Sequence, residues 1–157
     1  MSSKSRVRKP GRAAMSPLLR SLTLSRTAHA PVTQTMLLQA YGALDAFRRG
    51  RGARVLHTTL SRHLLMSEEL AHAGVGADSR VDIASAHAAM LRLDARERET
   101  ARWSLEDDDY ACLCAALAIF DQQLSAASLS ELASAEAKMI EGLMRSAQLR
   151  ALAEAAV

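Results

Sequence analysis

The residues best equipped for chemistry crowd into one short stretch, Arg48-Arg49-Gly50-Arg51-Gly52-Ala53-Arg54. Four guanidiniums around two glycines can grip phosphates bidentately while the backbone stays close. The phosphate backbone of a nucleic acid is one such target. The same cluster also reads as the solvated end of a helix, because cations are stabilising at helix C-termini. Lys4, Arg6, Arg8, Lys9 and Arg12 form a second basic set near the N-terminus. They are suited either to nonspecific phosphate contacts or to an acidic protein partner.

Catalytic constellations are harder to build. His29, His57, His63, His72 and His87 show none of the paired spacings of zinc sites, and Cys112 and Cys114 lack a second cysteine pair. His63 and His72 read as helix-surface or boundary residues. The acidic run Glu106 to Asp109 reads as the first turn of a helix, where it complements the macrodipole, rather than as a metal site. There is no glycine-rich phosphate loop between strand and helix, no nucleophile elbow, and no defensible acid and base pair. The sequence therefore predicts a non-catalytic protein with no catalytic residue, metal or cofactor. A deep pocket joining His63 to Asp121 would reverse that expectation.

Positioning such residues falls to a small domain. The chain has 157 residues, 49% hydrophobic but only 3% aromatic, which suits one domain with a Leu, Met, Ile and Ala core packed between helices. Its net charge of +3 conceals a split. Residues 1–54 hold eleven Lys/Arg against the single acid Asp45, while residues 55–157 hold nine against sixteen. Such asymmetry marks a basic arm for an acidic partner on a mildly acidic globule.

Cys112 and Cys114 point about 200° apart on a helix and cannot close a local disulfide, which predicts a reducing, cytoplasmic setting. No run approaches the roughly 18 to 20 apolar residues of a membrane helix. Ala28-His29-Ala30 resembles a cleavage site, but Pro17, Arg20 and Arg26 break the stretch a secretory signal needs. The acid-free, Arg- and Ser-rich residues 1–44 also fit a transit peptide, while the preference for Arg over Lys fits a GC-rich bacterial genome.

Residues 1–31 contain all three prolines and seven basic residues, and read as a disordered basic arm. Residues 32–157 read as one all-α domain of about five helices, in a small bundle or orthogonal array. The first helix is expected from Thr33 to Arg49, with Met36, Leu37, Ala40, Tyr41, Leu44 and Phe47 on one face and Gly50 as a left-handed stop. A second runs from Ala53 to Ala73, carrying Leu56, Leu60, Leu64 and Leu70, and stops at Gly74 with Val75 as its hydrophobic closure. The third, with Ile83, Ala86, Met90, Leu91 and Leu93, is capped by Asp78 or Ser79, the latter forming a box with Asp82, and passes into a solvated, charge-dense end from Asp94 to Arg102. Ser104 with Asp107 caps a fourth helix whose stripe is Tyr110, Leu113, Leu117, Phe120 and Leu124. Ser128 and Glu131 form the best capping box, opening a last helix with Leu129, Leu132, Met139, Ile140 and Leu143 that frays beyond Gly142.

Three stretches carry a resemblance: Leu44-Asp45-Ala46-Phe47-Arg48-Arg49-Gly50, Arg102-Trp103-Ser104-Leu105, and Phe120-Asp121-Gln122-Gln123-Leu124 with Ala127-Ser128 and Glu131-Leu132. On these the chain resembles short helical proteins of betaproteobacteria such as Burkholderia and Ralstonia, found near mobile elements and loosely labelled Fis-type regulators. The resemblance covers about residues 36–140. It implies a bacterial cytoplasmic helical protein, phage- or plasmid-borne.

The leading expectation is a non-catalytic regulatory or accessory protein. Its basic arm and the cluster Arg48, Arg49, Arg51 and Arg54 would contact nucleic acid, with the bundle as scaffold or homodimerisation unit. A helix-turn-helix variant would present Thr58, Thr59, Arg62 and His63 to a groove, although Glu68 and Glu69 on the same helix repel phosphates. Scarce aromatics, with Phe47 and Phe120 on core faces, speak against a base-stacking platform. The alternative is a small helical protein-interaction module, an inhibitor or adaptor, binding an acidic protein partner.

Overall fold

The computed structural model describes residues 30–155, and over that span the chain is all-α. Its helices are α1 (Ala30–Arg48), α2 (Arg54–His72), α3 (Arg80–Thr100), α4 (Asp107–Ala126) and α5 (Leu129–Ala155), with a 3-10 turn at Ala77–Ser79 leading into α3. No described helix is long and apolar enough to cross a membrane. The first helix begins at Ala30, earlier than its apolar spacing predicts, because Pro31 sits in the first turn. There the missing N–H costs nothing and the fixed φ is already helical.

Both predicted glycine stops form, and by one device. Gly50 has φ 64°, its N–H donates to the Phe47 carbonyl at 3.1 Å, and the Arg51 N–H donates to the Ala46 carbonyl at 2.8 Å. At the end of α2, Gly74 has φ 97°. Its N–H donates to the Ala71 carbonyl at 3.2 Å, and the Val75 N–H donates to the Leu70 carbonyl at 2.9 Å. These paired bonds are the Schellman arrangement, which a residue with a Cβ enters only at a cost.

Caps divide. The Ser128 N–H donates to the Glu131 carboxylate at 2.7 Å and the Glu131 N–H donates to the Ser128 hydroxyl at 3.3 Å, so the capping box opening α5 closes in both directions. The other two expected caps do not form. Ser79 precedes α3 without a side-chain cap bond, and α4 is preceded by Glu106 rather than Ser104.

Helix α2 is the axis of the fold and packs against each of the other four helices. On one side Phe47, Leu60, Leu64, Leu93, Leu113 and Leu117 interlock. On the other, Met66, Leu70, Phe120, Leu124, Leu132 and Met139 do so. Burying each such side chain contributes about 1.5–3 kcal/mol, which fixes α1 and α5 against α2. The expected core residues Tyr41, Leu91, Ile140 and Leu143 are exposed instead. Nor does α5 fray at Gly142; it continues to Ala155 with every residue from 140 to 149 exposed.

Candidate functional site

Two regions claim the chemistry-bearing residues. The first is the turn between α1 and α2, where the arginine cluster sits. Gly52 is there because a Cβ would overlap the Phe47 ring and the Trp103 Cβ. Trp103 lies 6.0 Å from Phe47 and 5.2 Å from His57, ring centre to ring centre, and the Arg54 guanidinium stacks 5.0 Å over its indole. The turn is thus pinned by aromatic packing.

Three of the four guanidiniums are engaged by the chain's own carboxylates. Arg48 pairs with Asp107 and lies over the Tyr110 ring at 4.8 Å. Arg49 reaches back one turn to Asp45 at 2.9 Å. Arg54 donates to Asp94 at 2.7 Å and approaches Glu97 at 3.4 Å. Arg51 is exposed and makes no ion pair among the described residues. The remaining predicted contacts, Lys4, Arg6, Arg8, Lys9 and Arg12, lie outside the described residues.

The acidic stretches play the complementary part. Asp94, expected in a solvated helix end, is buried between Arg54 and Arg98. Burial pushes its carboxyl upward, but the hydrogen bonds from Arg98 and Arg54 outweigh that and hold it below the usual carboxylate range. Asp109 is also buried, accepting from Arg92 at 2.8 Å and from Arg96 at 3.4 Å, while Arg96 binds Glu106 at 2.8 Å. The run from Glu106 to Asp109 therefore clamps α3 and α1 to the start of α4, beyond its expected role in the macrodipole. Among the described residues no group of three or more His, Cys, Asp or Glu side chains is placed to hold a metal.

The second region is an apolar groove of about 720 Å³. Val32, Met36, Leu38 and Gly42 of α1 form one wall, Leu129, Leu132, Ala133 and Met139 of α5 the other, and Leu56, His63 and Met66 of α2 the floor. Its charges are Arg62 and Glu136, and Leu38 is 75% exposed beside it.

His63 was expected at a surface or boundary but is only 8% exposed. Its ring packs 5.7 Å from Phe120 and its Nδ1 has no hydrogen-bond partner. Burial, then the neighbouring Arg62 charge, lowers its pKa. At neutral pH His63 is therefore an uncharged, largely apolar floor residue. Asp121 lies elsewhere, in a separate hollow with Gln122 and Ser125, so the pair that would have suggested acid and base chemistry is not assembled.

Burial of His63 also removes it from the groove-reading set imagined on α2. Thr58 and Thr59 donate back to the Arg54 and Val55 carbonyls at 3.1 and 2.9 Å. The groove's signal in the sequence was a surplus of apolar residues: Leu38 lies off the buried stripe of α1, and Ile140 to Met144 lie past the packed part of α5. A polar knot at Gln123 carried no such signal. Its buried amide donates to the Ser67 carbonyl at 3.0 Å and the Val75 carbonyl at 2.9 Å, and accepts from the Ser67 hydroxyl at 2.6 Å. No family model, curated protein or solved structure matches the chain.

Proposed function

We propose that this chain is a non-catalytic regulatory or accessory protein that works as an interaction module, receiving an amphipathic protein helix in the groove between α1, α2 and α5. The observation that carries it is the open apolar trough itself, floored by a neutral His63 and flanked by the exposed Val32 and Leu38. Helix-in-groove recognition uses such a trough, burying apolar anchors spaced along one face of the incoming helix. Most of the arginine cluster is spent on internal carboxylates, so apolar burial rather than charge provides the affinity here. Cys112 and Cys114, half-buried and unpaired, fit a reducing compartment such as the cytoplasm.

A photo-cross-linking residue placed at Ala133 in the groove, and separately at the exposed Ala95 on α3, tests this in living cells. The groove position should yield a cross-linked polypeptide and the α3 position none. Silence at both positions would remove the groove from function.

A second reading, phosphate contact with nucleic acid, is favoured by the exposed Arg51 and the basic residues 4–12. Fluorescence anisotropy with random duplex DNA and single-stranded RNA across a salt series checks it. Affinity that falls steeply with salt, and on removal of residues 1–29, supports it; no binding at low salt dismisses it.

A further inference from the structure

We infer that the helix received by the groove is α5 of a second copy of this chain, laid antiparallel on the first. This rests on the groove being an interface, and it names the partner. The groove side of α5 presents Leu129, Ala133 and Glu136, and the same spacing of alternating four and three residues continues as Ile140, Leu143 and Ala147. Such a seam is the mark of a helix that packs along its length against another helix. In this chain it loses its support halfway. Ile140, Leu143 and the adjacent Met144 are exposed, Met144 by 62%.

Residues 140–155 therefore stand as a helix with no described packing from residue 140 to 149. Isolated helices of about 12–15 residues are marginal in water, so this segment calls for a partner. The trough beside its first half calls for an apolar helix. One antiparallel pairing, with a two-fold axis near residues 141–143, answers both: the outer half of each α5 lies along the inner half of the other, over the groove.

Charge selects the direction. The antiparallel register brings position 150, an arginine, opposite Ala133 to Glu136 of the other copy, whereas a parallel register sets Glu136 against itself. Gly42, with nothing within 4 Å of where its Cβ would stand, lets the incoming helix approach the α1 wall closely. A segment from residues 1–29 could fill its own chain's trough, but it would leave the seam on the outer half of α5 uncovered. A second copy covers both.

Sedimentation equilibrium of the full chain should give twice the chain mass. Leu143→Glu should weaken association by about 100-fold, the scale of a central interface anchor, with unchanged helicity by circular dichroism, since Leu143 is exposed within its own chain. Leu91→Glu, at an exposed position on α3, should leave the dimer intact. Glu136→Arg should weaken it, and adding Arg150→Glu should restore it. Monomer mass at every concentration, or a dimer indifferent to Leu143→Glu, overturns the inference. If the chain is monomeric while Ala133 still cross-links to a polypeptide of another mass, the groove remains an interface and only its occupant changes. If Ala133 captures nothing as well, both fall.

Discussion

Two sides of α2 solve opposite problems. Around its N-terminus, Trp103, Phe47 and Gly52 are locked together, and Arg48, Arg54, Arg92, Arg96 and Arg98 are each matched to a carboxylate. On another side, from Leu56 to Met66, the groove keeps apolar side chains open to solvent and a histidine with an unpartnered nitrogen. The lesson is that concentrated charge does not by itself mark a working surface. A guanidinium already held by a buried carboxylate is a structural strut, whereas exposed apolar surface that nothing in the chain covers is open to a partner.

That contrast can be broken by substitution, because struts should cost stability and groove residues should cost association. The largest loss is expected for Phe47→Ala, about 3–5 kcal/mol in denaturant unfolding, since its ring is wholly buried against Trp103 and Leu44 at the strut end. Gln123→Ala comes next at about 2–3 kcal/mol. It removes the amide's bonds to the Ser67 and Val75 carbonyls, leaves the buried Ser67 hydroxyl without its acceptor, and loosens the join between α2 and α4. If either variant unfolds with wild-type midpoint, the packing described for that end is wrong.

The pH dependence sharpens the comparison, with each region failing in its own window. Asp94, held low by Arg98 and Arg54, contributes stability that is present above the unfolded carboxylate value of about 3.9 and is lost as pH falls through its lower folded value. His63 is held neutral by the fold. Its contribution is intact above the unfolded imidazole value of about 6.5 and is lost as pH falls below it toward the folded value. Thermal melts across pH 2–8 should therefore show an acid step below about 6.5 that His63→Phe removes, and a second below about 3.9 that Asp94→Asn removes. Survival of the upper step in His63→Phe would assign it to another histidine. The smallest effect, within about 0.5 kcal/mol, is expected for Leu38→Ser, which lies beside the groove and is already exposed; a larger loss in unfolding would mean that Leu38 is a core residue after all.

Much of the helical framework was legible because its signals are local. The glycine stops at Gly50 and Gly74 and the box joining Ser128 to Glu131 each close bonds between residues no more than five apart, so spacing alone suffices to find them. The Ser79 and Ser104 caps failed because a capping pattern competes with the backbone's approach to the helix, which packing sets. Leu91 and Ile140 were misplaced for a related reason: periodicity gives the apolar face of a helix but not whether a neighbour reaches it.

Helix content, helix order and the stops between helices thus follow from residue type and near-neighbour spacing, through backbone bonds and conformational preference that need no distant partner. The fate of the charges does not. Arg48 meets Asp107 and Arg54 meets Asp94 across chain separations of 59 and 40 residues, and no local pattern names those partners. The burial of His63, the knot at Gln123 and the groove depend likewise on how α1 and α5 lie against α2. They arise from the joint packing of segments far apart in the chain, which only the tertiary structure decides.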